Sequence, residues 1–208
     1  ADTIAAIATG AQVAAIGIIR ISGPEALPIV DRLFRPASGK LMSEYEDRKL
    51  VYGRLTDLSG DLLDLCLCTV SHAPHSYTGE DTAELQCHGS PTVLRAALEE
   101  LFHAGARQAL PGEFTKRAFL NGRMELSSAE AVADIIDAES IECAKNAAAQ
   151  LSGAVAVKAD NIYSTLTDIS SHYHAVLDYP DEDIEDFRLE NYKQQLSSAA
   201  DSLRALLG

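Results

Sequence analysis

In the first half of the chain, the apolar positions fall in short runs that glycine and proline interrupt. Runs of this kind, rich in β-branched residues and bounded by turn residues, are typical of strands. Two of the runs flank the turn-rich segment 57–61, which predicts a hairpin. The predicted strands cover residues 15–22, 49–56, 62–71 and 82–87.

Two prolines mark predicted helix starts in the same half. Pro24 follows a strand and a glycine and opens a helix to about Phe34. Pro91 opens a second helix, whose apolar residues recur at helical spacing until Gly105 stops it. The order strand, helix, hairpin, strand, helix predicts an α+β domain over residues 1–122, with helices packed on a largely antiparallel sheet.

The second half, residues 123–208, is predicted to be helical. Ser127 and Glu130 fit a capping box, which predicts that a helix starts at Ser127. Residues 140–177 contain no proline and only one glycine, Gly153, so we expect one long helix bent near that glycine. A final amphipathic segment runs to the C-terminus. These helices present more apolar positions than one helical hairpin covers, so we expect an incomplete all-α bundle.

The acidic charge of the chain lies mostly in its second half. Residues 1–123 contain 15 acidic and 12 basic side chains, whereas the following 85 residues contain 16 acidic and 5 basic ones. The net charge of the whole chain is −14. Neutralising nucleic-acid phosphates needs clustered lysine and arginine, so the composition excludes a large nucleic-acid footprint. Any tRNA or DNA contact would depend on a local patch or on another domain.

Several further classes of site and location are excluded by what the sequence lacks. The apolar run 4–19 is too short and too interrupted to span a bilayer, so we expect a soluble, cytoplasmic protein without a membrane partner. The four cysteines form no CxxC pair, which favours buried, reduced thiols and no metal site. The acidic run 178–186 lacks the glycine and glutamate of a calcium loop and is interpreted as a solvated linker, with Pro180 ending the preceding helix. No G-x-x-x-x-G-K-[ST] motif for nucleotide binding is present.

Three charged residues are candidates for ligand binding. Arg20 lies in an apolar strand, where a guanidinium needs an anionic ligand or a protein carboxylate such as Glu84. Glu84 lies in another strand and can accept two hydrogen bonds from a pterin-like or guanidine-like edge. Arg123 follows a turn and is a candidate anion contact. His88 could serve as a general base, but a histidine without a positioned nucleophile is more often structural, so no catalytic residue is assigned.

Five motifs give the chain a resemblance to one known family. They are IIRISG at 18–23, YTGED at 77–81, ELQCHG at 84–89, the segment from PGEF to Leu126 that begins at residue 111, and DYPDE at 178–182. Together they resemble the tRNA modification GTPase family MnmE, also called TrmE. The similarity covers the family's amino-terminal domain and the first part of its helical domain. A GTPase domain that binds GTP, Mg²⁺ and K⁺ would then follow beyond the point where this chain stops.

The resemblance implies a cofactor, partners and site residues. The family's amino-terminal domain is similar to folate-binding aminomethyltransferases, homodimerises, and binds 5-formyltetrahydrofolate or 5,10-methylenetetrahydrofolate. By motif position, Arg20, Glu84 and Arg123 match its folate contacts. With the flavoprotein MnmG (GidA), the family adds an aminomethyl-type group to carbon 5 of the wobble uridine in tRNA. This chain alone, without a P-loop, is not expected to hydrolyse GTP.

The sequence departs from the family pattern at two places. A glycine-rich stretch of the kind P-x-G-x-G-G is replaced by residues 10–15, where side chains take the place of glycines. Arg123 stands where a lysine is often found, which keeps the charge and changes its geometry. Two alternatives therefore stay open: a dimerisation scaffold whose folate pocket has decayed, and a self-contained folate-dependent aminomethyltransferase.

Overall fold

A computed structural model describes residues 2–179 and 189–207 of the chain. The chain divides into two compact units, Ala1–Met124 and Glu125–Gly208. The first unit combines a sheet with helices and the second is helical, which confirms the predicted α+β class followed by an all-α region. Pro180 and most of the acidic run 178–186 lie outside the described residues. None of the helices that the structure describes is both long enough and apolar enough to cross a membrane.

Seven strands form one sheet within the described part of the first unit. In chain order they are β1 (Ile4–Ile7), β2 (Ile16–Ser22), β3 (Phe34–Pro36), β4 (Val51–Thr56), β5 (Leu62–Ser71), β6 (Thr82–His88) and β7 (Arg107–Gln108). Their spatial order is β3-β4-β5-β6-β2-β1-β7. Every neighbouring pair is antiparallel except β1 with β7, which is parallel.

The longer strands match the prediction and the shorter ones do not. The antiparallel pair of β4 and β5 confirms the hairpin, and β2 and β6 confirm two further strands. The strands β1, β3 and β7 were not predicted from the sequence pattern. β1 has two alanines at its centre and β7 has only two residues, so neither has a local preference for extended structure. They are strands because their backbone groups pair with a neighbouring strand.

Three helices complete the first unit: α1 (Ala26–Leu33), α2 (Pro91–His103) and α3 (Glu113–Leu120). The predicted start of α2 at Pro91 is confirmed. The predicted start of α1 at Pro24 is wrong by two residues, because a turn closed by the Ala26 N–H and the Gly23 carbonyl comes first. Gly23 has φ 136° there, and an added Cβ would lie 2.6 Å from Thr3 Cα.

The core lies on the face of the sheet that carries α1 and α2. Alternate residues of each central strand point to it, as a period of two requires. The core includes Ile19, Ile21, Val70 and Leu85 from the strands, and Ile29, Val30, Leu33, Leu94 and Leu101 from the helices. The remaining residues of β2, β5 and β6 therefore project from the opposite face, away from these helices.

The second unit consists of four helices among the residues described: α4 (Leu126–Ile136), α5 (Ile141–Leu151), α6 (Ala154–Asp178) and α7 (Leu189–Leu207). The prediction of one long helix over 140–177 is wrong. Gly153 adopts φ 77°, a left-handed conformation that ends α5 and precedes α6. Glycine takes this conformation without steric cost, so the chain changes direction there instead of bending smoothly.

Two further predictions about the helical region are corrected. α4 begins at Leu126 with Glu125 as its N-cap and no side-chain cap bond, so the capping box starting at Ser127 does not form. Ser140 does cap a helix, because its side chain accepts a hydrogen bond from the Cys143 N–H at 3.1 Å. Cys143 itself is exposed on α5, which contradicts the expectation of a buried thiol. The other three cysteines are buried as predicted: Cys66, Cys68 and Cys87.

Candidate functional site

A row of polar residues crosses three neighbouring strands on the face of the sheet opposite α1 and α2. Arg20 of β2 pairs in register with Glu84 of β6, and Glu84 pairs with Thr69 of β5. Because side chains alternate along a strand, these three project to the same side while their sequence neighbours fill the core. The sheet register thus puts Arg20 in one row with Thr69 and Glu84, which are 49 and 64 positions away from it in the sequence.

Arg20 and Glu84 form an ion pair at the centre of this row. Arg20 Nε donates to Glu84 Oε1 at 2.8 Å, and both side chains are about one-third exposed, at 32% and 30%. The protein carboxylate that the sequence offered as one partner for Arg20 is therefore in contact with it. The bond involves one of the two carboxylate oxygens, and Glu84 is partly open to solvent.

Two aromatic rings flank the guanidinium of Arg20. Its Cζ lies 5.5 Å from the ring centroid of Tyr77 and 5.6 Å from that of Phe114. At these distances the ring faces attract a cation. Tyr77 comes from the loop before β6 and Phe114 from α3, so three separate segments meet at Arg20. They create a charged centre with flat apolar walls.

A cavity of about 350 Å³ lies beside this centre. Its walls come from β5, β6 and the loops next to them. The lining residues are Arg48, Leu50, Thr69, Val70, Ser71, Tyr77, Thr82, Ala83, Glu84 and Gln86. The cavity thus combines a carboxylate, a guanidinium, an amide, two threonines and an aromatic ring, a donor and acceptor set suited to a polar ring system.

Thr69 contributes an unsatisfied polar atom next to Glu84. Its Oγ1 is buried and has no hydrogen-bond partner, and among the described residues it is the one side-chain oxygen or nitrogen of that kind. Leaving a buried hydroxyl without a partner costs about 1 to 3 kcal/mol. Rotation about χ1 would exchange the hydroxyl with the methyl group that shares its Cβ and turn the oxygen toward a bound molecule. No sequence signal points to this role, since threonine is ordinary in a strand.

Arg48 is a second lining residue that sequence reasoning missed. Its φ of 62° is left-handed, and among the described residues it is the one non-glycine residue with such a backbone. Its Nη2 donates to the His75 carbonyl oxygen at 2.9 Å. Such strained residues cost about 1 to 3 kcal/mol and concentrate at functional sites. The observed strain makes Arg48 a candidate cation for a ligand in this cavity.

Arg123, the third predicted residue, is held against a neighbouring loop. Its Nε donates to the Ser76 carbonyl oxygen at 3.2 Å, one residue before Tyr77. Its side chain also packs on Gly79, where an added Cβ would lie 3.2 Å from Arg123 Cγ. Arg123 is exposed and is not among the residues that line the 350 Å³ cavity. The structure therefore brings Arg20 and Glu84 into contact and packs Arg123 against the loop that carries Tyr77.

An ion-pair network fixes α3 and the loop of residues 76–81. Arg117 Nη1 donates to Glu80 Oε1 at 3.0 Å, and its Nη2 donates to Glu113 Oε1 at 3.1 Å and to Asp2 Oδ1 at 2.6 Å. Arg107 bonds both oxygens of Glu113, at 2.5 and 2.9 Å, and also pairs with Asp2. We call these five residues the ion-pair network.

The network buries two charged residues of α3. Glu113 is 9% exposed, and the side chain of Arg117 is 12% exposed. Glu80 also accepts a hydrogen bond from Ser22 Oγ at 2.7 Å, which ties the network to the end of β2. Phe119 of the same helix is 37% exposed, whereas Ala118 is buried. Two charged residues of α3 are therefore structural and hold Phe114 near Arg20.

His88 and the altered loop both lie at the C-terminal end of β6. His88 Nδ1 contacts Asp64 Oδ1 at 2.7 Å, and the His88 N–H donates to Asp64 Oδ2 at 2.8 Å. Residues 10–15 dock next to it through two backbone hydrogen bonds to Gly89. None of residues 10–15 lines the cavity at Glu84. The lost glycines thus lie away from the candidate site.

Two family models match almost the whole chain. "GTP-binding protein TrmE N-terminus" matches residues 3–123, and "MnmE helical domain" matches residues 126–208. The chain belongs to the MnmE family. Its two structural units thus correspond to the amino-terminal and helical parts of MnmE proteins, which are tRNA modification GTPases by name.

Curated MnmE relatives are similar over most of this chain. The protein named tRNA modification GTPase MnmE from Symbiobacterium thermophilum is 46% identical over 184 residues, covering 88% of this chain and 40% of the relative. That from Bacteroides thetaiotaomicron is 46% identical over 185 residues, covering 88% and 39%. That from Clostridioides difficile is 40% identical over 205 residues, covering 99% and 44%. The chain therefore spans about two fifths of the length of these MnmE proteins.

Replacing Thr69 by valine should stabilise the ligand-free protein. Valine has the same shape and removes a buried hydroxyl without a partner, so the free energy of unfolding should rise by about 1 to 2 kcal/mol. Thr78→Val is the contrasting control, because Thr78 is fully buried and its Oγ1 has a partner, Ser22 Oγ, at 2.7 Å. It should lower stability by a similar amount. Urea unfolding followed by circular dichroism measures both; a loss of stability in Thr69→Val would contradict the assignment.

The ion-pair network predicts a pH dependence of stability. Hydrogen bonds from Arg107 lower the pKa of Glu113 from 4.5 to about 2. A carboxyl with a lowered pKa stabilises the fold above its unfolded pKa, and this contribution is lost as the pH falls through the folded pKa. Glu113→Gln should therefore destabilise most near neutral pH, and its difference from wild type should shrink between about pH 4.5 and about pH 2.

Urea unfolding at a series of pH values measures this difference. Glu99→Gln, at an exposed glutamate of α2, is the control and should change stability little at any pH. A destabilisation by Glu113→Gln that is the same at every pH would show that the charge of Glu113 contributes nothing.

Proposed function

We propose that this chain is the folate-binding and dimerising part of a cytoplasmic tRNA modification GTPase. In this proposal it holds 5-formyltetrahydrofolate or 5,10-methylenetetrahydrofolate, which supplies a one-carbon unit when bound. The whole protein would act with the flavoprotein MnmG (GidA) to add an aminomethyl-type group to carbon 5 of the tRNA wobble uridine. The observation that carries the proposal is the Arg20–Glu84 pair between two aromatic rings, next to a cavity with an unsatisfied hydroxyl.

The side chains of the site match the chemistry of a pterin ring. The amino-pyrimidine edge of a pterin presents N–H donors, and the carboxylate of Glu84 has oxygens to accept them. Thr69 adds a hydroxyl beside this carboxylate, and that hydroxyl can hydrogen-bond the same edge of the pterin. The rings of Tyr77 and Phe114 offer flat faces near the planar pterin. A bound pterin would give the polar atoms of Glu84 and Thr69 hydrogen-bond partners and would cover the apolar ring faces.

The size of the cavity supports binding of the pterin head with the tail outside it. At about 350 Å³ the cavity is near the lower end for ligand pockets, which run from about 300 to about 1,000 Å³. The tail of a folate ends in glutamyl carboxylates, which suit guanidinium groups. Arg48 is an exposed cation that lines the cavity, and Arg123 is an exposed cation bonded to the adjacent loop. We infer that they contact the tail.

The outward face of the sheet supports homodimerisation. Large apolar side chains remain exposed on it and on the loop before β2, including Tyr52 at 54%, Ile16 at 58% and Val13 at 83%. Leu65 lies between them at 41% exposure. Contiguous exposed apolar patches on a folded protein mark interaction sites. Gln86 lines both the Glu84 cavity and the groove formed by this patch, so a second copy seated here would adjoin the folate site.

The remaining steps belong to the whole protein. GTP hydrolysis with Mg²⁺ and K⁺ is proposed for the part of the relatives that this chain does not span. A net charge of −14 favours tRNA binding through that part or through MnmG, since phosphate contacts need basic side chains. The docking of residues 10–15 at Gly89, away from Glu84, argues against a decayed folate pocket.

Calorimetric titration with 5-formyltetrahydrofolate tests folate binding directly. Arg20→Ala and Glu84→Ala should each weaken binding by about 1 to 3 kcal/mol, because each leaves a polar partner unpaired. Arg54→Ala is the matched control, since Arg54 is an exposed arginine of β4 that does not line the cavity. It should bind like wild type. A parallel titration with 5,10-methylenetetrahydrofolate ranks the two forms.

Two results would contradict folate binding at Arg20 and Glu84. A folded, wild-type chain that shows no saturable binding of either folate would favour the scaffold alternative. Saturable binding that Arg20→Ala and Glu84→Ala leave unchanged would place the folate elsewhere in the chain.

The dimer is tested by charging the outward face. Leu65→Glu should convert a dimer to a monomer, because a carboxylate cannot be desolvated there without a partner. Leu203→Glu is the control, since Leu203 of α7 is exposed to the same degree, 43% against 41%. Light scattering and sedimentation give the mass of each variant. A monomeric wild type, or a dimer that persists in Leu65→Glu and dissociates in Leu203→Glu, would contradict the proposed interface.

A further inference from the structure

Two buried thiols and a carboxylate meet on neighbouring strands of the sheet. Asp64 and Cys66 lie on β5, and Cys87 lies on β6. One carboxylate oxygen and the two Sγ atoms all lie within 4.8 Å of one another. Cys66 and Cys87 are 4% and 2% exposed, and the Asp64 side chain is 9% exposed. None of these side chains takes part in the Arg20–Glu84 ion pair.

The register of β5 and β6 explains why the thiols meet. Leu67 pairs with Gln86, so the next step along both antiparallel strands puts Cys66 beside Cys87, with both side chains toward the core. The two thiols hydrogen-bond each other, and together with burial this bond raises the pKa of Cys66. A nearby cation would favour the thiolate form of these side chains.

Asp64 is oriented from outside the cluster by His88. Both carboxylate oxygens contact His88, one through its ring Nδ1 at 2.7 Å and one through its backbone N–H at 2.8 Å. A carboxylate oxygen can bind a metal while it also accepts a hydrogen bond. Metal ligands are commonly fixed by such outer hydrogen bonds, which set their direction and raise affinity.

We propose that Asp64, Cys66 and Cys87 bind a zinc ion. Zn–S bonds of about 2.3 Å and Zn–O bonds of about 2.0 Å in a tetrahedron separate the ligand atoms by about 3.5 to 3.8 Å. The atoms here lie within 4.8 Å, so the site closes with shifts of about 1 Å or less. Two thiolates select a soft metal such as zinc over magnesium or calcium.

The proposed site has three protein ligands. Cys66 and Cys87 also border the groove of about 340 Å³ on the outward face of the sheet, but their side chains point toward the core, so that groove does not hold the zinc. A site with three protein ligands keeps its fourth position for water or another small ligand. The three anionic ligands would offset the charge of Zn²⁺, which lowers the cost of burying it. This inference does not rest on the folate proposal.

Titration of the reduced, metal-free chain with Co²⁺ tests the site, because tetrahedral Co²⁺ with thiolates has charge-transfer and visible d–d absorption. We expect one Co²⁺ per chain, displaced by Zn²⁺. Cys66→Ser and Cys87→Ser should each lower the affinity at least 10-fold and weaken the charge-transfer band, because one thiolate remains in each variant. Cys68→Ser is the matched control, since Cys68 is a buried cysteine on the same face of β5. It should retain both affinity and spectrum.

Two further variants keep both thiols and so remain informative if a serine variant does not fold. Asp64→Asn should weaken Co²⁺ binding, and His88→Ala should weaken it by about 10- to 100-fold through loss of the outer hydrogen bond. Binding releases the two thiol protons, so the affinity should fall by about 100-fold per pH unit below neutral. Absence of the charge-transfer band in the reduced wild type, an undiminished band in Cys66→Ser or Cys87→Ser, or unchanged binding in Asp64→Asn would each overturn the proposal.

Discussion

The geometry of the candidate site depends on the ion-pair network of Asp2, Glu80, Arg107, Glu113 and Arg117. Arg117 bonds carboxylates from the chain start, from the loop before β6 and from its own helix, so one guanidinium joins three segments. Removing one partner of such a network strands the charges of the others, which costs more than the intact pairs contribute. The network therefore defines one arrangement of these segments, and its main contribution is geometric.

The aromatic walls around Arg20 follow from that arrangement. The loop that Glu80 anchors carries Tyr77, and the helix that Glu113 and Arg117 anchor carries Phe114. The two segments are also linked directly, since the hydroxyls of Tyr77 and Thr115 are 3.0 Å apart. A ligand enclosed by these rings would meet walls that are already in place, which reduces the ordering cost of binding.

Three features lie side by side along β5 and β6. The Glu84 cavity and the groove at the exposed apolar patch lie on the outward face, where Gln86 lines both, and the buried thiols lie on the core face of the same strands. Antiparallel strands bring residues of distant sequence position into such rows, whose members follow from register alone. The zinc proposal departs from the sequence-based expectation of no metal site for this reason, since Cys66 and Cys87 have no motif spacing and meet only through strand pairing.

The sequence by itself determined the α+β class, the hairpin of β4 and β5, the helix at Pro91 and the helical second unit, because these follow from local patterns of apolar residues, glycine and proline. It also identified Arg20 and Glu84 as unusual, since a charge within an apolar strand needs a partner. Only the tertiary structure decided that these two bond each other, that Thr69 and Arg48 join them, that Glu113 and Arg117 are structural, and that Arg123 packs against the loop that carries Tyr77. These outcomes depend on strand register and on ion pairs between segments up to 115 positions apart, and no local pattern encodes distances of that kind.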